Sequence, residues 1–117
     1  MVLYISNAFS LSMITDFLTK NKIDYCNLNI NEINIGTVKN LIKNKQIISA
    51  IGHQGTADFL TKLLKTEIKM NRININLTPC DELIVLQLLT RLPEGAVLTE
   101  EEMQKIKFVF YLVRLQT

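Results

Sequence analysis

The chain has one histidine, His53, and it lies in the stretch Ile47-Ile48-Ser49-Ala50-Ile51-Gly52-His53-Gln54-Gly55-Thr56-Ala57-Asp58-Phe59-Leu60. The stretch opens as a short apolar run, the pattern of a buried strand. It closes with Phe59, Leu60, Leu63 and Leu64 at helical spacing. Gly52-His53-Gln54-Gly55-Thr56 is therefore expected to form a strand-to-helix turn. Such a turn offers unpaired backbone N–H groups and the positive end of a helix dipole, both suited to a phosphate. Its glycines let the backbone take φ > 0 or come close to a ligand. A histidine held there could donate a proton to a phosphodiester. The plainer alternative is a ring that only satisfies a turn or core hydrogen bond.

Other chemistries find less support. A catalytic zinc usually takes three protein ligands, mostly His or Cys, and the sequence clusters no such set, so no metal and no cofactor is expected. Neither Cys26 nor Cys80 has a local context that would activate it as a nucleophile beside His53. A second constellation is Arg91-Leu92-Pro93-Glu94-Gly95 with Gln87 upstream, leaving the end of an apolar strand, where open sheets bind ligands. Arg91 could fork onto two phosphate oxygens, or it could form an ordinary surface ion pair worth about 0–1 kcal/mol. Asn7-Ala8-Phe9-Ser10 reads as a helix cap that could also meet phosphate or sugar hydroxyls, and Asn71-Arg72 is ambiguous in the same way.

The elements that must position these groups alternate in type. Val2 to Ser6 reads as a first strand. Ser10 is expected to cap a helix carrying Leu11, Ile14, Phe17 and Leu18 on one face, ended by Asn21-Lys22. Ile23 to Asn29 suggests a second strand. Residues 31–45 place Ile35, Val38, Leu41 and Ile42 at helical spacing, weakened by Gly36. After the His53 turn and its helix, Met70 to Leu77 alternates strictly and is expected to be a strand with one polar face. Thr78 to Asp81 is a turn, Glu82 to Thr90 a central strand, Thr99 to Glu102 a capping box, and Lys107 to Leu115 a closing strand. The expected order is β-α-β-α-β-α-β-β-α-β: a single α/β domain over residues 1–117, with a mixed β-sheet and flanking helices.

The totals narrow the partners. A chain of 117 residues, 48% hydrophobic and 21% charged, builds a core without disulfides. A net charge of +2 is too small for a protein that wraps duplex nucleic acid, yet leaves room for a local basic pocket. Two distant cysteines without a CxxC fit a reducing interior. No signal peptide and no apolar run near the roughly 20 residues of a membrane span is visible. The expectation is a cytoplasmic protein that engages no membrane.

Taken in order, Asn7-Ala8-Phe9-Ser10, Ile51-Gly52-His53 with Thr56, Asn71-Arg72-Ile73, and Arg91-Leu92 with Glu94-Gly95 and Leu98 resemble the viral ring nuclease family. These are small anti-CRISPR proteins of archaeal viruses and bacteriophages, with relatives of unassigned function in bacterial genomes and mobile elements. The resemblance implies cleavage of cyclic tetra-adenylate, the second messenger of type III CRISPR complexes, to linear di-adenylate. It implies no metal, a ring enclosed across a homodimer, and a reaction in the cytoplasm of the infected or host cell. On the same ground His53 matches the general acid, Arg91 and Glu94 the other active-site residues, and Asn7, Ser10, Arg72 and Gln87 ligand-contacting positions. Archaeal-virus members carry Asp-Ser where this chain has Gln54-Gly55, which changes side chains in the phosphate-facing loop but keeps its backbone donors and His53.

The chemistry is coherent on its own terms. A 3′–5′ RNA linkage carries its own nucleophile, the adjacent 2′-OH, and needs in-line alignment, charge stabilisation and a proton for the leaving 5′-oxygen. An imidazole, with an ordinary pKa of about 6.5, suits the last task. His53, Arg91 and the backbone of Gly52, Gln54, Gly55 and Thr56 supply these parts; Glu94 could orient a neighbour or act as base. Two other readings stand beside the enzyme: a non-catalytic sensor that binds a cyclic nucleotide, and an interaction module whose motif residues only cap helices.

Overall fold

The computed structural model describes residues 2–92 and 98–116. Apolar and polar residues segregate by two periods, and the sheet and helices follow from them. The elements are β1 (Leu3–Ser6), α1 (Ser12–Lys20), β2 (Asn27–Ile33), α2 (Ile35–Asn44), β3 (Ile47–Ser49), α3 (Gln54–Leu64), β4 (Glu82–Leu88), α4 (Glu100–Lys105) and β5 (Phe108–Gln116). They form one mixed five-stranded sheet in the order β2-β5-β4-β1-β3. β1 lies parallel between β3 and β4, while β5 is antiparallel to both β4 and β2. The fold is the expected α/β class with a mixed sheet.

Strand alternation sends side chains to opposite faces, and each face has its own cover. Leu3, Ile5, Ile84, Leu86, Phe110 and Leu112 meet Val38 of α2 and Ala57, Phe59, Leu60 and Leu64 of α3. Phe108 sits edge-on to both Phe59 and Phe110, with ring centroids 5.7 and 5.5 Å apart. On the other face Leu83, Val85, Val113 and Leu115 meet Ile14 of α1 together with Ile75 and Leu77. Here α1 is short, so this face of β4, β5 and β2 is covered only in part.

Three expectations need correction. Met70 to Leu77 is not a strand of the sheet; its only β pairing among the described residues is an isolated parallel bridge between Met70 and Ile51. The alternation there records burial, since Ile75 and Leu77 are buried while Asn74 and Asn76 are exposed. With β3 only three residues long, no ladder is available to extend it. The second strand begins at Asn27 rather than Ile23, since pairing with β5 decides its register. Finally, α1 is capped at Leu11 with no side-chain bond; the Ser10 hydroxyl instead meets that of Ser12 at 2.6 Å. The capping box of α4 forms as expected, with Thr99 and Glu102 each bonding the other's backbone N–H at 3.2 Å.

Candidate functional site

Parallel strands β1, β3 and β4 end on one side of the sheet, and loops leaving such ends form the usual ligand crevice of an open α/β sheet. β3 runs through Ala50 and Ile51 into Gly52 and then His53, the N-cap of α3. His53 is extended, with φ −132° and ψ 132°, and its carbonyl accepts the first helical bond, from the Ala57 N–H at 3.1 Å. The N–H groups of Gln54, Gly55 and Thr56 precede that bond and have no helical partner.

The starts of α3 and α4 differ in a way that bears on function. α4 neutralises its dipole with Glu100, Glu101 and Glu102 and fills its cap with Thr99. α3 has no acidic residue in its first turn, and the imidazole of its N-cap residue makes no capping bond. The positive end of α3 is left uncompensated, with an exposed imidazole beside it.

A cleft of about 690 Å³ opens here, within the usual range for small-molecule sites. Its polar lining is Asn7, His53, Thr56 and Gln87; its apolar floor includes Phe9, Ile30, Val85 and Tyr111 from the partly covered sheet face. Thr56 is only 6% exposed, yet no hydrogen bond engages its hydroxyl among the described residues. That leaves the hydroxyl of a largely buried residue open to the cleft, beside the amides of the same turn.

The remaining expected residues fall around this cleft rather than in it. Gln54 Nε2 donates to Asp58 Oδ1 at 2.8 Å, one turn along α3. Arg72 Nε donates to the Gly52 carbonyl at 3.0 Å, and the Gly52 N–H donates to Asn7 Oδ1 at 3.4 Å. Ser10 and Arg91 are exposed and outside the cleft lining; Arg91 follows β4 and has an interaction partner of its own. Glu94 lies outside the described residues. The floor residues Ile30 and Tyr111 escaped the sequence reading because they sit on β2 and β5 and reach the site only through sheet pairing. Among the described residues, no three His, Cys, Asp or Glu side chains gather as a cation site.

Gly52 and Gly55 have a shared property. A Cβ at either would meet nothing within 4 Å, and neither has the left-handed φ that favours glycine. Neither crowding nor backbone conformation requires glycine at either position; a bare backbone is what close approach of a ligand would need. Gly55→Ala is expected to raise stability by about 0.5–1 kcal/mol, because alanine is the better helix former, while weakening ligand binding. Thermal unfolding and titration with the ligand check the two effects separately. Tighter or equal binding would remove the functional reading of this glycine.

Residues 3–110 match the STIV B116-like family. The chain is 42% identical over 87 residues, 74% of either chain, to "Uncharacterized protein 26" of Sulfolobus islandicus filamentous virus. It is 38% identical over 65 residues to YddF of Bacillus subtilis, covering 56% of this chain and 60% of YddF. The solved structure of B116 from Sulfolobus turreted icosahedral virus superposes with a TM-score of 0.78 at 25% identity, over 97% of this chain and 99% of that one. No helix among the described residues is long and apolar enough to cross a membrane. With a sequence match that runs from β1 into β5 and a shared architecture from end to end, the chain belongs to the STIV B116-like family.

Proposed function

We propose that the protein is a ring nuclease that opens cyclic tetra-adenylate and so silences type III CRISPR signalling. The observation that carries this reading is His53: an exposed imidazole without a capping role, at the uncompensated N-terminus of α3, on the rim of a cleft large enough for part of a nucleotide ring. A phosphodiester placed there meets the open amides of Gln54, Gly55 and Thr56 and the Thr56 hydroxyl, while Asn7 and Gln87 add side-chain amides to the cleft lining. The apolar floor of Ile30, Val85 and Tyr111 suits a base. Relatives in archaeal viruses are consistent with a role in countering host defence.

In this mechanism the 2′-OH gives its proton to solvent, or to Glu94 where that acts as base, and attacks the adjacent phosphorus; the P–O5′ bond breaks, and His53 gives its proton to the leaving 5′-oxygen. The product ends in a 2′,3′-cyclic phosphate, and water returns a proton to the imidazole. Helix-terminal amides take up charge that develops on the non-bridging oxygens. Arg91 and Glu94 complete the set as the second charge-stabilising group and as orienting group or base. A homodimer with a two-fold axis matches the symmetry of the ring and gives two cuts, hence two di-adenylate pieces.

Incubation with cyclic tetra-adenylate in excess EDTA, followed by product analysis, tests the reading. Linear di-adenylate should form, and a ring with 2′-hydrogen at the cleavage sites should stay intact. On the catalytically silent His53→Ala chain, calorimetry should saturate at one ring per two chains. Binding without turnover in the wild-type chain would leave a cyclic-nucleotide sensor in its place.

A further inference from the structure

Gly52 stands immediately before the N-cap histidine, and nothing in its own geometry restrains it: a Cβ there would meet open space. A glycine in such a position is the freest hinge a chain can have. Yet both of its backbone polar groups are held, and by side chains from two separate segments. Asn7, at the end of β1, accepts its N–H at 3.4 Å, and Arg72 donates from Nε to its carbonyl at 3.0 Å. Arg72 is itself presented by anchored backbone. The Ser49 hydroxyl donates to the Lys69 carbonyl at 2.6 Å, the Asn71 N–H donates to the Ile51 carbonyl at 2.8 Å, and Asn71 Nδ2 donates to the Ser49 carbonyl at 2.7 Å. Residues 69–72 are thus fastened along residues 49–52, and Arg72 is the last fastening before His53. It is not part of the cleft lining.

We infer that Arg72 is a positioning residue: its Nε–H, together with Asn7, immobilises the Gly52 hinge and fixes where His53 meets the phosphodiester. It acts through His53 rather than as a phosphate ligand. The inference rests on His53 being the proton donor.

Two substitutions separate the roles by side-chain length. Gln places its amide nitrogen the same number of bonds from the backbone as Arg Nε, so Arg72→Gln keeps the donor and removes the charge. Lys puts a methylene at that point, so Arg72→Lys keeps the charge and moves the nearest donor one bond beyond it. With cyclic tetra-adenylate, Arg72→Lys should lower kcat about tenfold with KM little changed, and Arg72→Gln should stay within about threefold of wild type. The reverse order, with raised KM in Arg72→Gln, would identify a phosphate contact and overturn the inference. In the ligand-free protein, amide hydrogen exchange at Gly52 and His53 should quicken about tenfold in Arg72→Lys and stay near wild type in Arg72→Gln. Equal exchange in all three chains overturns the clamp. A wild-type chain inert toward the ring would refute the proposed reaction and with it the route through His53; the exchange order alone would then decide whether the clamp exists.

Discussion

His53→Ala should slow cleavage of cyclic tetra-adenylate by about 10²–10⁴, the span associated with losing a positioned general acid, and leave ring affinity within a few-fold of wild type. The split follows from the geometry. The groups that hold charge in the ground state are the α3 amides and the Thr56 hydroxyl, and alanine at the N-cap keeps all of them. What disappears is a proton for the 5′-oxygen, which matters only as the P–O bond breaks. His53 makes no capping bond, so its removal should leave α3 intact and the Tm nearly unchanged. A leaving group that needs no proton supplies a second check: a substrate whose 5′-oxygen is replaced by sulfur should be cut at similar rates by both chains. Single-turnover rates on the natural ring give the magnitude. An alanine chain that cuts at the wild-type rate would return His53 to an ordinary turn residue.

The His53 turn was legible because strand and helix signals meet there without a gap: Ile47 to Ile51 on one side, Phe59 to Leu64 on the other. The strands β1 and β4 themselves and the α4 capping box were also readable, since continuous apolar runs and the Thr99–Glu102 spacing act locally. What failed depended on partners distant in sequence. The bounds of the second strand are one case: Asn31 to Ile33 read as the start of a helix, and pairing with Leu112, Tyr111 and Phe110 makes them part of β2. Met70 to Leu77 has the right alternation but no neighbouring ladder. Arg72 reads as a phosphate ligand by type, and its bond to the Gly52 carbonyl, 20 residues back, carries no local signal. The floor of the cleft was hidden for the same reason, because Ile30 and Tyr111 meet only across β5 and β2.

The largest effect on stability is expected at the opposite end of the sheet, at Glu82. It is 4% exposed at the start of β4, and its carboxylate is held by Lys45, which precedes β3, and by Arg114 of β5, whose Nε donates at 2.9 Å. Burial alone would raise its pKa; the hydrogen bonds and charges of Lys45 and Arg114 outweigh burial and hold it below the ordinary carboxylate value. A depressed folded-state pKa contributes stability that is fully present above the unfolded-chain value of about 4.3 and is lost as pH falls through the folded value. Replacing both partners, as Lys45→Met with Arg114→Met, leaves burial unopposed, so the pKa should move above its unfolded value and the sign should invert. That chain should be about 3 kcal/mol or more less stable than wild type at pH 7, the range for a buried carboxylate stripped of its partners. It should regain stability relative to wild type as the pH is lowered from 7 toward 4. Adding Glu82→Gln should restore much of the loss at pH 7 and remove most of the pH dependence of the difference, leaving only what wild-type Glu82 itself begins to lose near pH 4. Urea midpoints of the three chains at pH 7, 5.5 and 4 measure this directly. A difference between the double variant and wild type that stays constant over that range would mean that Glu82 is not the group whose ionisation the two cations stabilise.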